Sequence, residues 1–459
     1  MLTYEEALDY LYSFVDYSAT RVEKYSAPAF DLGRMSALLE LIGNPHTHYP
    51  CLHLAGTKGK GSVSALCASV LRAAGYRTGF YASPHLQDFC ERIQINGELI
   101  PREAVAAIVD DLRPLAARVP KITHWELVTA LGFEYFAREK VDVAVIEVGL
   151  GGRLDSTNVI TPLVSVITSL SYDHTNLLGS TLAQIAGEKA GIIKPGVPLV
   201  SAPQQPEALE VLMRTAHERG APLTLVGRDW LSRPVSHSLE SQTFEIWSAE
   251  EERQLNALRA SGHVIDWRPA RLEIPLLGAH QVENGAVAVA ALNALRRQGL
   301  PISPDAVREG LRAVRWPGRF EVLGRQPFVV ADGAHNRDSA HKLAAALDDY
   351  FPGRRVLMVF GASSDKDVDG MLAELLPHVA HLIFTQAVQP RALDSEELVE
   401  RAAAYRRDDL TLEMAVPVAR ALERALELSG PGDVLLACGS LFVVAEVRAV
   451  WGERVLRET

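Results

Sequence analysis

The segment Gly56-Thr57-Lys58-Gly59-Lys60-Gly61-Ser62 constrains the fold more than any other part of the chain. An apolar run, Cys51 to Ala55, leads into it, and a helix-compatible run, Ser62 to Ala74, leads out. A glycine-rich turn between a strand and a helix lets backbone N–H groups converge on an anion, and the positive end of the helix favours the same charge. A lysine in that turn reaches terminal phosphate oxygens, and a neighbouring hydroxyl approaches a metal. A nucleoside-triphosphate site is therefore the first expectation. The spacing departs from the common phosphate loop: Leu54 stands where that pattern has Gly, and Gly61 follows Lys60 where it has Ser or Thr. An ordinary glycine-rich turn with exposed lysines fits the same letters, and the strand-loop-helix context favours phosphate over it.

The rest of the chain continues the alternation. Short apolar strands are predicted at Thr78–Ala82, Val141–Val148, Leu163–Leu170 and Pro198–Ser201, with helices at Arg102–Ala116, Trp125–Glu139, Leu182–Gly191 and Glu207–Arg219. Continuous apolar runs separated by helices imply an α/β fold with a mainly parallel sheet covered on both faces. Thr243–Trp247 and Arg271–Ile274 alternate like exposed antiparallel strands, and Gln281–Arg297 reads as a helix ending at Gly299. A second α/β rhythm follows, with strands at Phe328–Ala331, Arg355–Phe360, His381–Thr385 and Asp433–Ala437. The 459 residues exceed one comfortable core. The turn Trp316-Pro317-Gly318-Arg319 divides them into domains at 1–315 and 316–459.

Composition excludes several classes. A net charge of −11 argues against a general nucleic-acid or acidic-membrane binder, so anionic substrates must meet local basic residues. Four scattered cysteines, none in CxxC spacing, suggest neither a zinc site nor a disulfide framework. The acidic N-terminus lacks a signal-peptide profile, and the longest apolar stretches are too short to span a bilayer. A reducing, cytoplasmic location follows as the simplest expectation.

Polar residues recur at strand ends. Val141–Ile146 delivers Glu147, followed by the glycine-rich Gly149–Asn158; Ser83 and His85 follow Thr78–Ala82; His174 follows Leu163–Leu170. In open parallel sheets ligands bind at the carboxyl ends of strands, so Ser83, Glu147 and His174 are expected on one rim. Hard oxygen donors suit Mg²⁺, and the histidine leaves Mn²⁺ as an alternative. Lys189, taken alone, reads as a surface lysine.

The set Gly56–Ser62, Ser83-Pro84-His85-Leu86, Glu91-Arg92-Ile93, Glu147–Asn158, Asp173-His174, Glu188–Ile192, His280-Gln281 with Asn284, Pro317–Phe320, Asp332–Asn336 and Gly439-Ser440 is ordered through nearly the whole chain. In this it resembles the folylpolyglutamate synthase and dihydrofolate synthase family of Mur-type ATP-dependent amide ligases. The resemblance implies a P-loop ATPase domain and a smaller Rossmann-like glutamate-ligase domain. It implies ATP-dependent ligation of L-glutamate to reduced folates, and also to dihydropteroate, through an acyl phosphate.

Roles follow residue by residue from the same resemblance. Thr57, Lys58, Gly59, Lys60, Gly61 and Ser62, with Asn284, Arg319 and Asp332, match ATP-binding positions. Ser83, Glu147 and His174 match metal ligands, for two Mg²⁺ ions. Lys189 matches a lysine carbamylated by CO₂. His335 and Ser440 match positions near the incoming glutamate. Catalysis is expected to rest on Lys60, Lys189, Asp332 and His335. The folate or dihydropteroate is expected against Asp31, Leu32, Gly33 and Arg34, which resemble a loop of two-activity enzymes, and against Thr123, His124, Trp125, Glu126 and Leu154. Lys58 stands where many bacterial members carry Asn, and Trp125 where Phe is frequent, which leaves the balance of the two activities open. The rivals are another Mur-type ligase acting on a cell-wall precursor, a nucleotide-dependent switch and a small-molecule kinase. Too few residues precede Cys51 for a separate uridine-nucleotide domain, which disfavours the first. A monomer is the expected state.

Overall fold

The computed structural model describes residues 2–14, 31–405 and 407–458. The chain divides into two compact units. The first comprises Met1–Val235, Thr243–Ile274 and Val282–Val314; the second comprises Ser236–Gln242, Pro275–Gln281 and Arg315–Thr459.

The first unit is built on eight strands: β1 (Cys51–Ala55), β2 (Thr78–Tyr81), β3 (Ile93–Ile95), β4 (Glu98–Leu99), β5 (Val143–Glu147), β6 (Val164–Ile167), β7 (Leu199–Ser201) and β8 (Leu223–Leu225). Their order is β4-β3-β2-β5-β1-β6-β7-β8. Strands β2, β5, β1, β6, β7 and β8 run parallel; β3 and β4 add an antiparallel edge. Every residue of β1, β2, β5, β6 and β7 is buried, the signature of a parallel sheet covered on both sides.

The helix Lys60–Ala73 packs Val63, Leu66, Val70 and Leu71 inward. Against it lies Pro304–Ala313, where the hydroxyl of Ser69 donates to the Gly310 carbonyl at 2.7 Å. A Cβ on Gly310 would stand 2.3 Å from the Val70 Cα, so only glycine allows these backbones to approach. Three further strands, β9 (Trp230–His237), β10 (Gln242–Ser248) and β11 (Ala270–Ile274), form a small sheet ordered β11-β10-β9. Phe244, Ile246, Leu272 and Ile274 are buried, so the alternation expected of exposed antiparallel strands marks one packed face.

The second unit holds β12 (Glu321–Arg325), β13 (Phe328–Ala331), β14 (Val356–Phe360), β15 (His381–Phe384), β16 (Thr411–Met414) and β17 (Val434–Cys438). The order is β12-β13-β17-β14-β15-β16, parallel except for β12. Both edge strands escape the apolar-run criterion because neither is fully buried.

Several boundaries shift from expectation. Strand β6 stops at Ile167, three residues before Leu170, and β5 starts at Val143. The loop helix begins at Lys60, two residues before Ser62, because Gly59 adopts φ +84° and turns the chain into it. The helix predicted from Gln281 begins at Ala279.

Candidate active site

The sheet order sets the site of the first unit. Strands β2, β5, β1 and β6 are neighbours, so the segments leaving their carboxyl ends are neighbours too. Ser83 follows β2, Glu147 ends β5, the Gly56–Ser62 loop follows β1, and His174 follows β6.

The loop is tied to the segment after β6. The amides of Thr57 and Lys58 both donate to the Ser169 carbonyl, at 2.9 and 3.1 Å. The Thr57 hydroxyl donates to the Ser171 carbonyl at 3.1 Å. Lys58 Nζ donates to Asp173 Oδ2 at 3.0 Å. Lys60 Nζ lies 3.2 Å from the Gly56 carbonyl, folded back over its own loop. A Cβ on Gly56 would stand 1.9 Å from Thr168 Oγ1, and one on Gly59 would stand 2.3 Å from Asn284 Oδ1. Asn284, on the helix Ala279–Arg297, therefore packs directly on the loop.

After β5 the chain turns around Asp155. Its Oδ2 accepts from the amides of Gly149 and Leu150 at 3.0 and 2.9 Å; its Oδ1 accepts from the amide of Thr157 at 3.0 Å and from that residue's hydroxyl. His53 Nε2 lies 2.8 Å from Thr157 Oγ1. Burial lowers the His53 pKa to about 3, so its ring is neutral. This network holds the backbone leaving Glu147. The sequence offered one clue to it: an acid two residues before Thr in a glycine-rich turn.

Lys189 is not a surface lysine. It is 4 % exposed, on the inner face of Leu182–Ala190. Burial first, then the positive charges of Lys60 and Lys58, lower its pKa to about 7, against an opposing pull from Asp173 and Asp155. Its helix meets the Gly149–Asn158 segment at bare backbone. A Cβ on Gly152 would stand 3.1 Å from the Lys189 Cα, and one on Gly191 would stand 2.4 Å from the Cα of Arg153. The Arg153 amide donates to the Glu188 carbonyl at 2.7 Å, and Asn158 Nδ2 donates to the carbonyls of Arg153 and Gly191 at 3.0 and 3.2 Å.

The donor set on the rim fits a hard divalent cation. Glu147 is 3 % exposed, and a Cβ on Gly149 would stand 3.4 Å from Ser83 Oγ, so the hydroxyl borders the turn that leaves Glu147. One carboxylate, one hydroxyl and one imidazole suit Mg²⁺ or Mn²⁺ supplemented by water and phosphate oxygens. Among the described residues no group of three or more His, Cys, Asp or Glu side chains forms a closed metal cage.

Asp31, Leu32, Gly33 and Arg34 do not form a loop. Asp31 caps the helix Leu32–Leu41, accepting from the Gly33 amide at 2.8 Å, because an aspartate at that position satisfies an otherwise orphaned N–H. Arg34 Nε donates to Glu126 Oε1 at 3.0 Å, with both side chains under a tenth exposed. Glu126 also accepts from the amide and hydroxyl of Thr123, closing a capping box at the start of His124–Arg138. His124 Nδ1 donates to the Leu11 carbonyl at 3.0 Å, and the ring stacks on Tyr12 at 5.2 Å. The Arg92 guanidinium lies 5.0 Å from the Trp125 ring. The two predicted stretches thus meet, while Leu154 is half-buried in the Asp155 turn.

Burial raises the Glu126 pKa, opposed by Arg34. Arg34→Met is expected to cost roughly 3 kcal/mol by stranding a buried carboxylate. A raised folded-state pKa means that the native state takes up the proton before the unfolded chain does. Stability lost at pH 7 should therefore partly return as pH falls toward 5, and urea unfolding at both values checks it.

In the second unit Asp332 accepts from the Phe320 amide at 2.7 Å and the Ala334 amide at 2.8 Å. It fixes the turn carrying Arg319, whose Nη1 donates to the Gly318 carbonyl at 2.9 Å. Gly318 and Phe320 both adopt positive φ, at +71° and +44°. His335 Nδ1 lies 2.8 Å from the Gly333 carbonyl. Asn336 caps the helix Arg337–Tyr350, and Ser440, 4 % exposed, accepts from the Phe442 amide at 3.2 Å. Asp332, His335 and Ser440 sit after β13 and β17, which are adjacent parallel strands.

Comparison with known proteins shows the family of the fold. Residues 54–292 match the Mur ligase middle domain, and residues 318–441 match the Mur ligase glutamate ligase domain. The dihydrofolate synthase/folylpolyglutamate synthase of Bacillus subtilis is 36 % identical over 436 residues, covering 91 % of this chain and 94 % of the relative. Folylpolyglutamate synthase of Mycobacterium tuberculosis, solved with ADP, superposes with a TM-score of 0.84 at 32 % identity, covering 98 % of each chain. FolC of Escherichia coli, solved with DHPP and ADP, gives 0.81 at 30 % identity over 99 % of this chain and 98 % of that one. The chain belongs to the folylpolyglutamate synthase/dihydrofolate synthase family of Mur-type ATP-dependent ligases.

Proposed function

We propose that this chain ligates L-glutamate to reduced folates, and to dihydropteroate, with cleavage of ATP to ADP and phosphate. The observation that carries the reading is the buried Lys189, whose amine feels the charges of Lys58 and Lys60 on the phosphate loop. A lysine with its pKa near neutrality is available as the free amine, and addition to CO₂ gives a carbamate anion and one released proton. That anion, among Lys58, Lys60, Asp155 and Asp173, would supply negative charge to hold a metal where the loop alone supplies positive charge.

In this reading the substrate carboxylate attacks the γ-phosphate of ATP to give an acyl phosphate. The glutamate amine then attacks the carbonyl carbon and phosphate departs. Lys60, Ser62 and the amides of Gly59 to Gly61 hold the phosphates, while Thr57 and Lys58 anchor the loop through their amides on Ser169; positioning and charge neutralisation, rather than a strong base, carry such transfers. Bound Mg²⁺, held by Ser83, Glu147 and His174, would neutralise charge on the phosphate oxygens. Asn284, Arg319 and Asp332 are assigned to ATP, and His335 and Ser440 to glutamate. Asp31, Leu32, Gly33, Arg34, Thr123, His124, Trp125, Glu126 and Leu154 are assigned to the folate or dihydropteroate. Residues 1–315 would carry the ATP and folate chemistry and 316–459 the glutamate chemistry, within a monomer. The four free, buried cysteines support a reducing, cytoplasmic setting. Among the described residues no helix is long and apolar enough to cross a membrane.

Phosphate release with ATP, Mg²⁺ and glutamate, measured with dihydropteroate and with tetrahydrofolate, tests the proposal. Products one glutamate heavier on both acceptors are expected. A gain on tetrahydrofolate alone would restrict the enzyme to polyglutamylation; a gain on neither would overturn the reading in favour of another Mur-type acceptor.

A further inference from the structure

We infer that Lys58 is a positioning residue for His174, acting through the carboxylate of Asp173, so that the charge on the phosphate loop sets how tightly the metal is held. The inference rests on the metal reading above.

The Asp173 carboxylate touches both Lys58 and His174. Its Oδ2 accepts from Lys58 Nζ at 3.0 Å. Its Oδ1 accepts from the His174 amide at 3.0 Å and lies 3.9 Å from His174 Nε2. The ion pair is secluded, with side-chain exposures of 14 % for Lys58 and 9 % for Asp173. His174 adopts φ +49°, a left-handed conformation that a residue with a Cβ holds only when its surroundings impose it. The Asp173 oxygen on its amide is one such imposition. The imidazole itself remains 37 % exposed.

Carboxylates beside a ligating histidine orient the ring and raise its basicity, and their loss costs roughly 10–100-fold in metal affinity. Here the carboxylate is itself fixed by a lysine from the adjacent strand's loop. The backbone of that loop is pinned to the same segment through Ser169 and Ser171. Removing the Lys58 charge would take from a secluded carboxylate the ammonium that holds its Oδ2, and Asp173 would shift from its position over His174. The chain therefore uses Lys58 differently from a phosphate-only contact, in which Asp173 would play no part.

Mn²⁺ binding, followed by electron paramagnetic resonance with saturating ADP, separates the two roles. Lys58→Met and Asp173→Asn are each expected to weaken Mn²⁺ binding roughly 10–100-fold. The double variant should be no weaker than the weaker single, and Lys58→Arg should retain most of the affinity. Thermal unfolding of each variant shows that the fold is kept. Glu147→Gln serves as the control and should abolish binding. Wild-type Mn²⁺ affinity in both single variants, or losses that multiply in the double, with Glu147→Gln still inactive in binding, would overturn the role of Lys58 alone. Undiminished Mn²⁺ binding by Glu147→Gln would overturn the metal reading, and the inference with it.

Discussion

Replacing Lys189 with alanine is expected to lower turnover by roughly 100-fold or more, since even groups that only orient metal ligands act on a 10–100-fold scale. The side chain is buried among Lys58, Lys60, Asp155 and Asp173, and its pKa stands at about 7. Above that pH the amine is free to add CO₂; below it the ammonium form blocks the reaction. Turnover of the native protein should therefore fall as pH drops below about 7 and recover on adding bicarbonate. The alanine variant should show no such recovery, while small carboxylic acids should restore part of its rate. A carbamate resonance in ¹³C spectra of bicarbonate-labelled wild type, absent in the variant, would complete the account. Full activity of Lys189→Ala would end it. A further consequence concerns folding. A depressed folded-state pKa means that the unfolded chain binds the proton more readily, so this group's destabilising contribution is full below about 7 and fades toward the ordinary lysine value.

Gly191→Ala is expected to cost about 3 kcal/mol of stability, in the range of overpacking at rigid sites. Gly191 has φ −57° and ψ −20°, which alanine adopts without strain, so the loss must come from space. The added methyl would meet the Cα and Cβ of Arg153 at 2.4 Å, and backbone on both sides cannot yield as a side-chain tip would. Gly187→Ala, on the same helix, is the matched control. Its Cβ meets nothing within 4 Å, and the change should be neutral or stabilising by up to ~1 kcal/mol. Denaturant midpoints for the pair decide the matter: equal midpoints would show that the contact between Gly191 and Arg153 relaxes freely. A parallel test in the helix pair, Gly310→Ala, should also destabilise, because the Val70 backbone stands in the way.

The parallel sheet was legible because its strands are continuous apolar runs, and Cys51–Ala55 was read to the residue. Edge strands β12 and β16 were not, since half-exposed strands carry no such run. Glu147 was found from its place at the end of an apolar strand. Lys189 was misread as a surface residue on local grounds, and only the family resemblance singled it out, because burial of a lysine is decided by segments distant in sequence. The same limit hid the Asp155–Thr157–His53 network and the Lys58–Asp173 pair, whose members lie 104 and 115 residues apart at their long links. Residues 31–34 were expected in a loop because the stretch resembled one in two-activity enzymes. Its aspartate instead starts a helix.

The shape of the Gly56–Gly61 loop is fixed by its neighbours: Thr168 against Gly56, Ser169 under two amides and Asn284 against Gly59. An arriving nucleotide meets a loop whose backbone is already set, so little ordering of the chain accompanies its capture. Calorimetry of nucleotide binding should accordingly yield a small heat-capacity change for the first unit's share of the event. The loop thus depends on Thr168, Ser169 and Asn284, the residues that mould it, as much as on its own glycines.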